Sequence, residues 1–279
     1  MILTKRDCEL LVALKKYELL STAMIEELLF KGTRKTTMLR RLRILEKEKL
    51  ISRFQNTTSQ IHLWSITDLG ANKIGVEAFK NSWNKNTLEH DLKLIELRLK
   101  LEKLNFVQNW TTEQEIKSLV YKNNSREEAK KKLIPDGLFI TNKETQNKSV
   151  AIELELTLKD KKRIKEVVKN YLAKKDLNFV WYISTHKGIL KSMFFEWKEL
   201  AKNHHGVKLI ASLYDEVITN PIEATIFTLD GVFKFPDFWK LSPAHSYAHT
   251  VSTSPGLSSI QIQKINSINY SIPIRENAF

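Results

Sequence analysis

Apolar residues in the first fifty positions recur at helical spacing in three successive blocks. Leu10, Leu11 and Leu14 follow Thr4; Met24, Ile25, Leu28 and Leu29 follow Ser21; Met38, Leu42 and Leu45 follow Gly32-Thr33. Threonine and serine cap helices by accepting a hydrogen bond from the backbone of the first turn. The pattern therefore predicts three helices, the third running to about Glu48. The period then shortens: residues 50–54 and 61–66 flank a polar turn at 55–60 and read as a two-stranded wing, closed by Asp68-Leu69-Gly70. Three helices and a hairpin predict a winged helix-turn-helix over residues 1–76. With Met38, Leu42 and Leu45 turned inward, Thr33, Thr36, Arg40, Arg43 and Lys47 fall towards the opposite side of the third helix. In this fold that helix enters the major groove while Arg53 and the wing turn approach the backbone.

Residues 79–86 read as a linker. A helix over 87–104 then carries two apolar stripes, Leu88-Leu92-Ile95-Leu99 and Leu94-Leu97-Leu101-Leu104. So broad an apolar face is expected to be covered by the second domain, a dimer mate, or both. Further on, Thr111 or Thr112 followed by acids resembles a helix start, and a basic stretch at 126–132 leads into the apolar run Leu133, Ile134, Leu138, Phe139, Ile140. Polar residues 142–147 suit a hairpin connection to the alternating run 150–157. Beyond it come an amphipathic helix (Ile164, Val167, Val168, Tyr171, Leu172), a buried strand at 178–184, a helix at 187–202 and a strand at 206–213. Residues 225–235 suggest a hairpin about Asp230-Gly231. The order predicts an α/β (α+β) chain in which a mixed-sheet domain with flanking helices, residues 77–240, follows the winged helix, with a loosely packed tail at 241–279.

The chemistry concentrates at 133–171. Along the run from Val150 to Thr157, Val150, Ile152, Leu154 and Leu156 alternate with Ala151, Glu153, Glu155 and Thr157, so one face of the strand is buried and the other presents two carboxylates. Adjacent ionised carboxylates repel and are costly to desolvate, and the arrangement makes most sense if a cation neutralises them. Pairing with the preceding strand brings Asp136 beside Glu153 and Glu155. Three clustered oxygen ligands suit Mg²⁺ or Mn²⁺. The competing reading is an exposed sheet face whose glutamates pair with nearby lysines. Glu113 is a further carboxylate that the fold can bring to the site. Lys161, Lys162, Lys165 and Lys169 lie off the apolar stripe of their helix, so cations border the acids and suit a phosphodiester backbone.

Pro135-Asp136 followed by Glu153-Leu154-Glu155 resembles a variant of the PD-(D/E)XK nuclease motif. The longer string from Val150 to Thr157, with Lys159, Arg163, Tyr171 and Val180-Trp181-Tyr182, resembles the replication-relaxation family, which includes the MobC-type conjugative relaxases. The resemblance covers roughly residues 4–215. It implies a winged helix joined to a restriction-endonuclease-like domain that nicks one strand of plasmid or integrative-element origin DNA. In this reading Asp136, Glu153 and Glu155 hold the metal, and Lys159 assists the phosphate or the attacking group. Glu155 stands where the nuclease pattern has lysine, and Lys159 or Lys161, just past the strand, are the candidates to supply one. Other relaxosome or coupling proteins are the implied partners.

Charge strengthens the nucleic-acid reading. The 279 residues carry a formal charge of +13, and residues 1–76 alone hold fourteen Lys or Arg against eight Asp or Glu. Such a surplus calls for an anionic partner, DNA first among them. No apolar run approaches the roughly 20 residues that span a bilayer, and residues 1–8 lack a signal-peptide pattern. One cysteine, Cys8, among helical apolar positions reads as a small core residue and excludes a disulfide framework. The chain reads as cytosolic. His90, beside Glu89 and Asp91, reads as a structural hydrogen-bonding group. His245 and His249 lack a helix pattern or an acidic third ligand, and adjacent His204 and His205 form no rolling-circle relaxase motif. Tyr121, Tyr171 and Tyr182 are available hydroxyls, with Tyr171 on an apolar stripe where packing is expected. The alternative from a different class is a non-catalytic relaxosome accessory protein or transcriptional repressor with a degenerate nuclease fold.

Overall fold

The computed structural model describes residues 2–55, 61–77, 87–202 and 206–240. The readings for the wing tip, the linker, His204, His205, His245, His249 and the 241–279 tail lie outside the described residues. The chain divides into two units between Ile95 and Glu96.

The first unit follows the predicted order. Helix α1 (Lys5–Tyr17) is capped by Thr4, a two-residue strand β1 (Leu20–Ser21) leads into α2 (Thr22–Leu29) capped by Ser21, and α3 (Lys35–Lys47) follows. Strands β2 (Ile51–Gln55) and β3 (His62–Ile66) form the wing, and β1 adds to it, giving a three-stranded antiparallel sheet ordered β1-β3-β2. Leu10, Leu11, Leu14, Met38, Leu42 and Leu45 are fully buried, as their spacing required.

Three details differ from the sequence reading, and the burial of Asp7 is a fourth feature that it did not address. Helix α3 begins at Lys35 rather than at Gly32-Thr33, because Gly32 (φ +78°) makes a left-handed turn that the Thr33 N–H closes onto the Phe30 carbonyl at 2.8 Å. Cys8 is half-buried at the edge of the α1 stripe. Asp7 is buried, its carboxylate held by Arg41 of α3 and by the Thr4 hydroxyl at 2.7 Å. Burial alone raises the Asp7 pKa, but the Arg41 and Thr4 hydrogen bonds outweigh it and hold the carboxyl below its usual value. Lastly, Asp68-Leu69-Gly70 opens a short helix, α4 (Asp68–Lys73), capped by Thr67.

Gly70 is fixed by close approach: a Cβ there would stand 2.0 Å from the Leu50 carbonyl oxygen and 3.1 Å from Ile66 Cγ1. Gly70→Ala is expected to destabilise the first unit by about 1–3 kcal/mol, the usual cost of overpacking. Chemical denaturation measures this, and an unchanged midpoint would show that α4 can shift without loss.

Helix α5 (Leu88–Lys103) crosses the division between the units, burying Leu88, Ile95, Leu97 and Leu101. The second unit continues with β4 (Val107–Thr112), α6 (Glu113–Asn123), α7 (Arg126–Lys131), β5 (Gly137–Thr141), β6 (Ser149–Glu155), α8 (Lys161–Leu172), β7 (Phe179–Ser184), α9 (Lys187–Leu200) and β8 (Lys208–Leu213). Then come α10 (Tyr214–Thr219), β9 (Thr225–Thr228), β10 (Val232–Lys234) and α11 (Phe235–Trp239). Its strands form one seven-stranded sheet, ordered β10-β9-β8-β7-β6-β5-β4, with β6, β7 and β8 parallel and the remaining neighbours antiparallel. The protein is thus a mixed α/β chain of the α+β kind.

Both faces of the sheet are covered. Ala151, Val180, Tyr182, Leu209 and Ala211 pack with α8 and α9 through Ile164, Val168, Tyr171, Leu190, Met193 and Trp197. On the other face Trp181 meets Phe106, Phe235 and Trp239 at ring-centroid distances of 5.9–6.4 Å. Strand β6, central in the sheet, is buried along six of its seven residues. The expectation of a half-exposed strand is corrected: helices α8 and α9 cover the face that carries the glutamates.

Candidate active site in the second unit

Register sets the site. Gly137 pairs with Ile152 across the antiparallel β5–β6 ladder, so Asp136, just before β5, comes level with Glu153. Its Oδ2 accepts the Leu154 N–H at 2.7 Å, which fixes the carboxylate against β6. On the parallel side Glu153 pairs with Tyr182 and Glu155 with Ser184. Glu153 and Glu155 are two apart on one strand and leave the same face, beneath α8. Asp136, Glu153 and Glu155 are therefore brought together.

Glu153 is 8% exposed. Burial, with the adjacent Asp136 charge, pushes its pKa from the ordinary 4.5 up to about 8, against a hydrogen bond donated by the Tyr171 hydroxyl. Tyr171, on the buried stripe of α8, both packs and binds Glu153. Tyr182 donates to Glu155 Oε2 at 3.4 Å. Burial and the neighbouring carboxylates raise the pKa of both phenols, so at neutral pH they are hydrogen-bond donors rather than nucleophiles. Tyr121, by contrast, is half exposed on α6.

Of the two lysines just past the strand, Lys159 stands beside the carboxylates. It forms an ion pair with Glu155, and its charge favours the ionised form of Glu153. Lys161 instead faces Glu196 of α9 at 3.4 Å, with Lys165 at 3.8 Å from the other oxygen of the same carboxylate. Lys162 and Lys169 are exposed. Glu113 forms an ion pair with Lys117 of its own helix at 2.6 Å.

Donor chemistry and donor geometry can be separated here. Three carboxylates, one of them largely protonated at pH 7, are a set that a hard divalent cation would stabilise by drawing Glu153 into its ionised form. In their present rotamers, however, these oxygens are turned to Tyr171, Lys159 and the Leu154 N–H, and among the described residues no group of three His, Cys, Asp or Glu is arranged as a ready metal site.

In the first unit Thr36, Arg40, Arg43 and Lys47 are exposed along α3, opposite its buried stripe, while Thr33 is half-buried before the helix. Arg53 is exposed on β2, 3.1 Å from Glu46. His90 Nδ1 lies 3.3 Å from Asp91 Oδ1, in keeping with a structural role.

Sequence reasoning missed the pairing of Tyr171 and Tyr182 with the glutamates, and Glu196. Glu196 had a signal: it occupies an inward position in the stripe Ile189, Leu190, Met193, Glu196, Trp197, and a buried acid implies a cationic partner.

A winged-helix order followed by a seven-stranded mixed sheet with a buried carboxylate cluster defines an α+β protein with a polar centre inside its second unit. A model of the replication-relaxation family matches residues 11–174, more than half of the chain, and the chain belongs to that family. Membership ties it to replication and relaxation. The match includes Asp136, Glu153, Glu155, Lys159 and Tyr171, and ends before β7 and α9. No curated protein matches the chain. Among the described residues no helix is long and apolar enough to cross a membrane.

Proposed function

We propose that this chain is a DNA-nicking enzyme of the MobC relaxase type, in which the first unit selects an origin sequence and a nuclease-like second unit cleaves one strand. The observation that carries the reading is the convergence of Asp136, Glu153, Glu155 and Lys159 at the end of β6, beside the lysines of α8. Asp136, Glu153 and Glu155 would hold Mg²⁺ or Mn²⁺, which when bound stabilises developing charge on a scissile phosphate and favours deprotonation of an attacking water. Tyr171 and Tyr182 orient the two glutamates. Lys159, paired with Glu155 at the same cluster, would assist the phosphate or the attacking group. The burial of Glu153 keeps bulk water from competing for its oxygens.

The test is conversion of supercoiled origin-bearing plasmid to open circle with Mg²⁺ or Mn²⁺, against a control in EDTA. One observation favours a second reading: the carboxylates are engaged by protein groups and do not form a ready metal site. On that reading the second unit is a scaffold and the chain a DNA-binding accessory protein or repressor. Tight binding without nicking under any divalent ion selects it.

Duplex binding rests on α3. Replacing Arg40 and Arg43 together with alanine is expected to weaken duplex affinity, and to lower the slope of log affinity against log salt by about 1 for each phosphate left without its arginine. Anisotropy titrations across salt concentrations measure both. An unchanged slope would remove α3 from the interface.

A further inference from the structure

Next to the carboxylate centre, the turn at residues 156–160, the start of α8 and the middle of α9 border an open cleft of about 470 Å³. Leu158, Lys159, Lys161, Lys191, Phe195 and Glu196 line it. Two features are unusual for a surface made only to be solvated. Phe195 is 59% exposed and Leu158 65% exposed, so two large apolar side chains stand in water at its mouth. Around them stand more ammonium groups than carboxylates: Lys161 and Lys165 share Glu196, Lys159 is paired with Glu155, and exposed Lys191 adds a further charge. Lys161 Nζ lies 5.5 Å from the centroid of the Phe195 ring. An exposed aromatic ring, with Lys161 over one side and the other open, in a net positive cleft matches the two surfaces of an unpaired nucleotide, a flat base and an anionic phosphate.

We propose that this cleft binds one unstacked nucleotide of single-stranded DNA, with its base lying on Phe195 and against Leu158 and its flanking phosphates held by Lys159, Lys161 and Lys191. The proposal rests on reading the Asp136–Glu153–Glu155 cluster as a phosphodiester-processing centre, because Lys159 belongs to both sites and would set the spacing between the held nucleotide and the cleaved bond. It adds a preference for unpaired over duplex DNA, since a base within a duplex is stacked on both sides and has no face free for Phe195.

The probe is a short single-stranded oligodeoxynucleotide of adenine and 2-aminopurine, titrated into the full chain in EDTA, with 2-aminopurine quenching as the reading of stacking. Phe195→Ala is expected to weaken binding by about 5-fold to 150-fold, the range found for loss of one base–aromatic stack, and to abolish the quenching. Phe195→Tyr should retain both, and Lys191→Ala should weaken binding without abolishing the quenching. Phe195 is exposed, so an unchanged thermal midpoint serves as the folding control. Wild-type affinity and quenching in Phe195→Ala would overturn the proposal, as would a loss in the lysine variant alone, which would leave only an anion site. Because the titration contains no divalent ion, its outcome is separate from that of the nicking assay: a chain that stacks the probe yet never nicks keeps this site and loses the enzyme reading.

Discussion

Glu153→Ala is expected to lower divalent-ion-dependent nicking of supercoiled plasmid by about 10²–10³-fold, the scale seen when one group stabilising transition-state charge is lost. The size follows from position. Glu153 is buried, lies level with Asp136 across the β5–β6 ladder, and is two residues from Glu155 on one face. It is the member whose removal leaves the other two without a bridge. Glu153→Gln should lose nicking to a similar degree while keeping the side-chain volume and an acceptor for the Tyr171 hydroxyl. Loss in the alanine variant alone would therefore point to collapse of the packing instead. Duplex binding through the first unit should be unaffected in both variants. Nicking at the wild-type rate by both would place the reaction away from these carboxylates.

Without divalent ions, the second unit is expected to lose stability as pH rises from about 5 towards 8, and Glu153→Gln should remove most of that dependence. The folded state holds the Glu153 proton until about pH 8, whereas the unfolded chain releases it near the ordinary value of 4.5. Between those values the folded state binds more protons, so the stabilisation is fully present below the lower value and fades as pH passes through the upper one. Each tenfold difference in proton affinity is worth about 1.4 kcal/mol, which makes the full effect several kcal/mol. Denaturation midpoints of wild type and Glu153→Gln, taken across this range in EDTA, should converge at acid pH and diverge at alkaline pH, the glutamine variant being the more stable. Parallel curves would mean that Glu153 ionises at an ordinary value. Adding Mg²⁺ should raise the wild-type curve at alkaline pH, since a cation favours the ionised carboxylate.

The first unit was largely legible because its signals are local. The caps Thr4 and Ser21 and the stripe Met38, Leu42, Leu45 are each set by residues within a few positions of one another. The second unit was legible where strands are apolar and central, as in β6, β7 and β8. It was less so at β4, a polar edge strand whose register shifts between Gln108 and Thr111 and whose Asn109 has a positive φ of 51°. An edge strand with one solvated side does not need the alternation that identifies a central one. Helix α7 was hidden for a related reason: its six residues are mostly charged, and the capping box of Ser125 and Glu128 marks it more than any apolar stripe does. Helices α10 and α11 are too short to show a period.

The sequence alone determined the order of the three helices and wing of the first unit and of the run from β5 to β8 in the second, the basic outer face of α3, and the presence of two glutamates on one face of a strand preceded by an Asp that pairing could bring alongside. Those are matters of chain periodicity, written into consecutive residues. Only the tertiary structure decided that this face lies under helices rather than in water, that Tyr171 and Tyr182 donate to the glutamates, and that Lys159 rather than Lys161 stands at the cluster. Each of these depends on which segments far apart in the chain are packed against β6, and burial rather than residue type is what chiefly moves the proton affinity of Glu153.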